Sequence, residues 1–148
     1  MNVRELLKQK GLRVTPQREV IYRILAASKA HPTAEHVYEE VKKIFPSISF
    51  NTVYQTVKAF EKAGVLQRFS TGDNVCRYDA NVRPHPHFIC LSCGRVDDID
   101  EYPDNLVDLI IKSVASSPYR IKSVNLHFYG YCPRCGDNNK TTLLKEDQ

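Results

Sequence analysis

The spacing of apolar positions divides the chain into a helical first part and a mixed second part. Val3, Leu6 and Leu7 mark a short amphipathic helix that Gly11 ends. Thr15-Pro16 is a start signal, with Thr15 as N-cap and Pro16 in the first helical position, where its missing N–H is tolerated. Val20, Ile21, Ile24 and Leu25 then recur on one helical face. His31-Pro32 predicts a turn and Thr33 another start, followed by the stripe Val37, Tyr38, Val41, Ile44 and Phe45. Pro46 and Ser47-Ile48-Ser49 interrupt the chain before a helix over 49–63, with Val53, Val57 and Phe60 inward and Gly64 just past its end. Its opposite face, Asn51, Gln55, Lys58 and Lys62, is polar and partly basic.

Two strand-like runs follow, 65–70 and 75–79, around Thr71-Gly72-Asp73-Asn74, whose composition favours a tight turn. Helix, helix, short link, helix, hairpin is the order of a winged helix-turn-helix. That fold would lay the 49–63 helix in a DNA major groove and bring Arg68 and Arg77 of the hairpin towards phosphates. Residues 81–86, with Pro84 and Pro86 and no periodic pattern, read as a linker. Strand-like runs at 87–90 and 95–99 come next, then a helix near 104–116 with Leu106, Ile110 and Val114 on one face. A strand at about 121–129 would turn Val124, Leu126 and Phe128 inward. The polar tail 137–148 is expected to fray. The expected class is therefore α+β: a winged helix-turn-helix domain over 1–80, a linker over 81–86, and a small α/β domain over 87–148.

Composition narrows the functional classes. Of 148 residues, 42% are apolar and 26% charged, an ordinary globular balance. No run approaches the roughly 20 apolar residues of a membrane helix, and the charged opening MNVRELLKQKG lacks the apolar core of a signal peptide. A cytoplasmic protein is expected. Residues 1–80 hold 13 Lys/Arg against 8 Asp/Glu, a charge of +5, while 81–148 hold 8 against 9, a charge of −1. A basic first half suits nucleic acid, although charge alone fits a solvated surface equally well.

Five cysteines in a chain with no secretion signal argue for metal rather than disulfides. Cys90-Leu-Ser-Cys93-Gly94 and Cys132-Pro-Arg-Cys135-Gly136 are two Cys-x-x-Cys-Gly turns. Two intervening residues let one tight turn aim both sulfurs at one ion, and the glycine permits a positive φ. Together Cys90, Cys93, Cys132 and Cys135 complete a four-thiolate tetrahedral set suited to structural Zn(II), with no position left for a substrate. A redox dithiol normally opens a helix, whereas these turns follow strand-like runs. Cys76 is left over in the hairpin, most simply as a small buried apolar residue.

His85-Pro86-His87 is a second constellation, because residues two apart in an extended chain face the same side. Asp79, Asp97, Asp98 and His31 are further candidate ligands nearby. Imidazoles and carboxylates suit Fe(II), Mn(II), Zn(II) or Ni(II), and ligands drawn from both halves would make domain orientation depend on metal occupancy. His36 and Glu101 read as surface groups, and His127 as an exposed residue on the polar face of the last strand. No further His or general base stands close to His85-x-His87, so a metal-dependent hydrolase does not account for the chain. A hydrolase would also leave the helix-turn-helix order without a purpose. A zinc-ribbon interaction module is the second rival: it would need no operator, so sequence-independent DNA binding at low salt would favour it.

Gly11-Leu-Arg-Val-Thr-Pro-Gln-Arg18, His31-Pro-Thr-Ala34, Asn51-Thr-Val-Tyr54, Ala63-Gly-Val-Leu66, His87-Phe-Ile-Cys-Leu-Ser-Cys-Gly94 and Tyr129-Gly-Tyr-Cys-Pro-Arg-Cys135 resemble the ferric uptake regulator family over almost the whole chain. The resemblance implies a homodimeric, metal-dependent repressor of palindromic double-stranded operators, paired through its second half. Within the family the chain is most similar to the peroxide-responsive branch, whose three His and two Asp map onto His31, Asp79, His85, His87 and Asp98. Asp98 stands where iron sensors commonly carry Glu, and their additional last-strand His falls on Val124.

The implied mechanism is that bound Fe(II) or Mn(II) fixes the spacing of the DNA-binding heads. With Fe(II), peroxide would oxidise His31 or His85 and release DNA. The alternative is an iron, zinc, manganese or nickel uptake regulator without peroxide chemistry. Tyr54 and Gln55 are the leading base contacts, with Asn51 and Thr52 beside them and Arg13 and Arg18 as phosphate contacts. Packing of Tyr54 against the hairpin is the competing reading.

Overall fold

The computed structural model describes residues 2–71 and 74–136. Its first four helices begin where a side chain can satisfy a free N–H. The Asn2 side chain caps α1 (Val3–Gln9) by accepting from Arg4 N. Thr15 caps α2 (Pro16–Ala27), Thr33 caps α3 (Ala34–Ile44) and Ser49 caps α4 (Phe50–Lys62), each accepting from the N–H three residues on. Gly11 and Gly64 follow α1 and α4 with φ of +70° and +71°, which only glycine adopts without strain.

The faces these helices bury are close to those the periodicity predicts. Leu7, Ile21, Val37, Val41, Val53, Val57 and Phe60 are fully buried in one core, to which Leu25, Val65, Leu66 and Tyr78 also belong. Ile44 departs from its stripe: it is exposed, at the rim of a cavity beside Phe45, Pro46 and Ile48. β1 (Gln67–Ser70) and β2 (Cys76–Asp79) form the antiparallel hairpin, with Phe69 opposite Arg77.

The second sheet has the order β4-β3-β5. β3 (Pro86–Cys90) lies at its centre, antiparallel to β4 (Val96–Asp98) and parallel to β5 (Leu126–Gly130), with α5 (Leu106–Ser113) between β4 and β5 in sequence. Pro86 is thus a buried strand residue rather than part of a linker. α5 and β5 are shorter than the sequence predicts. Phe128 and Val114, expected to face inward, are 52% and 41% exposed, because no described helix or strand packs over them. His127 takes the opposite course and is half-buried. α5 buries no residue at all. Phe69 of the hairpin packs with Ile89 and Val96 of the second sheet and joins the two halves. No helix among the described residues is long and apolar enough to cross a membrane. The 137–148 tail lies outside the described residues.

Candidate metal centres and nucleic-acid face

The two Cys-x-x-Cys turns meet. Cys90 ends β3 and Cys93 lies in the turn after it. Gly94 N closes that turn on Cys90 O at 2.9 Å, and Cys135 N does the same on Cys132 O at 2.9 Å. The parallel pairing of β3 with β5 sets Cys90 beside Gly130 and carries the second turn to the first. The four sulfurs lie within 4.8 Å of one another, and Cys93 Sγ is 3.9 Å from Cys132 Sγ. Zn–S bonds of about 2.3 Å in a tetrahedron put sulfurs roughly 3.8 Å apart, so the set fits Zn(II) as it stands. The Cys93 and Cys132 main-chain N–H groups pull the Cys90 thiol down to about 6. Hydrogen bonds with the Cys93 and Cys132 side chains push Cys135 up to about 11. Crowded thiols resist ionising together, and a dication removes that conflict.

The second cluster gathers His31, Asp79, His85, His87 and Asp98, with one donor atom of each inside a 4.8 Å span. Each element brings its ligand for a local reason. His31 precedes the Thr33 cap of α3, and Asp79 ends β2. His85 and His87 flank Pro86 at the start of β3 and present their rings side by side, centroids 4.3 Å apart. Register places Asp98 directly opposite His87. His31 Nε2 and His85 Nε2 lie 2.9 and 3.0 Å from Asp98 Oδ1, and His85 Nε2 is 3.2 Å from Asp79 Oδ2. His87 Nε2 is 3.4 Å from both carboxylates. Bonds of roughly 2.1 Å at right angles separate neighbouring donors by about 3 Å, so this set also fits one ion.

Four of the five residues are buried, and Asp98 is the most exposed. Burial raises the Asp79 carboxyl, but hydrogen bonds with His31, His85 and His87 and the Asn81 N–H hold it well below the usual carboxylate range. Asp79 in turn pushes His85 up to about 9. Buried negative charge here calls for a cation, and such donors suit Fe(II) or Mn(II) as well as Zn(II) or Ni(II).

Other candidates stand apart. Asp97 pairs with Arg95 at 2.8 Å, and His36 and Glu101 are exposed. The sequence reading missed two neighbours of the cluster. Phe69 sits 4.6 Å from the His87 ring and 5.5 Å from His31, and His127 packs 5.7 Å from His87. Only the alternation of β1 hinted at Phe69, and nothing local in the sequence pairs it with β3. Cys76 is half-buried, with Arg68 Nη1 3.9 Å from its sulfur.

On α4, Asn51, Thr52 and Gln55 are exposed. Tyr54 is half-buried, stacked on Phe50 at 6.0 Å with Lys58 Nζ 5.0 Å from its ring centre, and it shares a groove with Arg68 and Cys76 of the hairpin. Arg13 is exposed, and Arg18 Nη1 donates to Arg13 O at 3.1 Å, bracing that loop. Arg77 overturns one expectation. Its guanidinium is engaged inside the protein, donating to the carbonyls of His31 and Gly94.

The sequence profile of the Ferric uptake regulator family matches residues 9–129. The chain belongs to the ferric uptake regulator family. The peroxide-responsive repressor PerR of Staphylococcus aureus is 34% identical over 132 residues, covering 88% of this chain and 87% of that protein. Among solved structures, a zinc-bound manganese uptake regulator superposes with a TM-score of 0.68 at 34% identity, covering 89% of this chain and 99% of the other. The Campylobacter jejuni peroxide stress regulator gives 0.72 at 26% identity, covering 91% and 100%. Regulators of this family are DNA-binding dimers.

Proposed function

We propose that this chain is a metal-dependent transcriptional repressor that holds double-stranded operator DNA and releases it when peroxide oxidises a ligand of its regulatory centre. The observation that carries the reading is the five-ligand cluster. His31 and Asp79 come from the winged-helix half, and His85, His87 and Asp98 from the second sheet. An ion held by all five ties the two halves, taken as residues 1–80 and 87–148 with 81–86 between them, into one orientation. In this reading Cys90, Cys93, Cys132 and Cys135 hold structural Zn(II), and the regulatory set holds Fe(II) or Mn(II).

The exposed apolar side chains Leu109, Ile111, Val114, Ile121, Phe128 and Tyr129 support pairing of two copies through α5 and β5. A two-fold dimer calls for a palindromic operator, read by Tyr54 and Gln55 with Asn51 and Thr52 beside them. Arg13, with Arg18 behind it, neutralises phosphate. A repressor of this kind acts in the cytoplasm, the location this reading implies. His31, Asp79, His85, His87 and Asp98 would hold Fe(II), which would supply the reducing power that cleaves the O–O bond of peroxide; overall, one hydrogen peroxide would convert a ring C–H of His31 or His85 to C–OH, its other oxygen leaving as water and no net electron being taken from the iron.

The test is operator binding by protein loaded with Fe(II) or Mn(II), before and after low-micromolar peroxide. Release of the Fe(II) form alone, with one oxygen gained on the His31 or His85 peptide, is the expected result. The similarity to the manganese uptake regulator, also 34% identical, supports a second reading as a sensor of metal availability. In that case both loaded forms stay bound through peroxide and neither peptide gains mass.

A further inference from the structure

His31 has a φ of +51°. Residues with a Cβ avoid this left-handed region, and they stay there only when their surroundings hold them. The ring of His31 lacks the usual support. Metal-ligating histidines normally donate their second N–H to an acceptor that fixes the ring, and His85 follows the rule with Nδ1 2.7 Å from Arg83 O. His31 Nδ1 is buried and has no hydrogen-bond partner among the described residues. The aim of this ring therefore comes from its main chain and from the packing of Phe69 and His87.

That main chain is held by β2. Arg77 Nη1 donates to His31 O at 3.1 Å, and Tyr78 N donates to Pro32 O at 3.1 Å. Arg77 Nη2 donates to Gly94 O at 3.2 Å. Gly94 is the positive-φ residue that follows Cys93 in the first cysteine turn. One guanidinium thus bridges the backbone of a regulatory ligand and the backbone of the cysteine turn. Its planar, fixed set of donors suits two acceptors on different segments, where a lysine offers a single movable ammonium.

We propose that Arg77 is a positioning residue that aims His31 at the regulatory ion and couples that ion to the zinc-bearing cysteine turn. The proposal rests on the assignment of His31 as a ligand. It makes the structural centre a determinant of regulatory-metal affinity, because a turn that loses its zinc loses a fixed Gly94 carbonyl. Arg77 then transmits the slack to His31.

The test is a double-mutant cycle on the full-length, zinc-containing protein, with Mn(II) affinity read from free Mn(II) by EPR. Arg77→Met keeps the aliphatic stem and removes every donor. It weakens Mn(II) binding about tenfold, within the range for losing an outer partner of a ligand. His31→Ala weakens it further, and the double variant is no weaker than His31→Ala alone, the signature of action through one residue. Co(II) in the regulatory site supplies a second readout: the Arg77→Met spectrum shifts towards that of His31→Ala while zinc content stays unchanged. Arg77→Lys restores part of the affinity. If Arg77→Met fails to retain zinc, Arg77→Lys is carried through the same cycle with a smaller expected loss.

An equal loss on the His31→Ala background would overturn the proposal, since it would mean general loosening. So would unchanged affinity in Arg77→Met when His31→Ala is weakened. Unchanged affinity in His31→Ala itself would overturn the ligand assignment instead.

Discussion

Replacing Phe69 with alanine tests whether an aromatic side chain from the hairpin supports the regulatory ligands. Phe69 is 8% exposed, and its ring lies 4.6 Å from His87, 5.5 Å from His31 and 5.4 Å from His127. Truncating a buried phenylalanine costs about 3–5 kcal/mol. The low end applies here, because the buried apolar cluster that Phe69 shares with Ile89 and Val96 is small among the described residues and can partly close over the gap. A loss of about 3 kcal/mol lowers the unfolding midpoint of a chain this size by roughly 6–12 °C. No donor atom is removed, yet two imidazoles lose the surface they rest on. Mn(II) affinity should therefore fall by about tenfold, as when an outer partner of a ligand is lost. Calorimetry of the metal-free protein gives the first quantity and a Mn(II) titration the second. A lowered midpoint with Mn(II) affinity within twofold of the unaltered protein would show that Phe69 only fills space, and the argument for support would fail.

Other expectations can be checked directly. His85 is pushed up to about 9 by Asp79, so a proton competes with the ion for its ring. Apparent Mn(II) affinity should rise about tenfold per pH unit up to about pH 9 and level off above it; a flat profile between pH 7 and 8 would contradict this. In the metal-free protein the same raised value stabilises the fold fully below about pH 6.5, and that contribution disappears as pH rises through about 9. Cys132→Ser should abolish zinc retention and melt the β3–β5 pairing, seen as loss of strand signal in circular dichroism; a zinc-free variant with an unchanged spectrum would refute it. Arg13→Gln should weaken binding to every DNA sequence and reduce the salt slope by about one unit. Gln55→Ala should instead cost about 1–3 kcal/mol at the operator alone. Parallel losses for the two variants would count against both assignments.

What the sequence determined by itself was the part whose physics is local. Thr15, Thr33 and Ser49 reach N–H groups three residues away, so each cap is settled within one helical turn. Cys90 with Cys93, and Cys132 with Cys135, are paired by a single tight turn each. His85 and His87 share a side because an extended chain repeats every two residues. His31, Asp79, Asp97 and Asp98 stood beside them only as further candidates, and the resemblance selected His31, Asp79 and Asp98, which no local rule connects to His85.

Tertiary structure decided the rest. Asp98 reaches the cluster through its register opposite His87, while Asp97, one residue away, turns to Arg95. Arg77 and Phe69 look like hairpin residues, one for phosphate and one for the core, until the second sheet packs against them. His127 and Phe128 exchanged expected environments: Phe69 of the hairpin packs 5.4 Å from the His127 ring, while Phe128 and Tyr129 beyond it stay exposed. Alternation along a strand specifies two faces without saying what will cover either. That choice belongs to contacts between segments far apart in sequence, and in this protein those contacts assemble the regulatory centre.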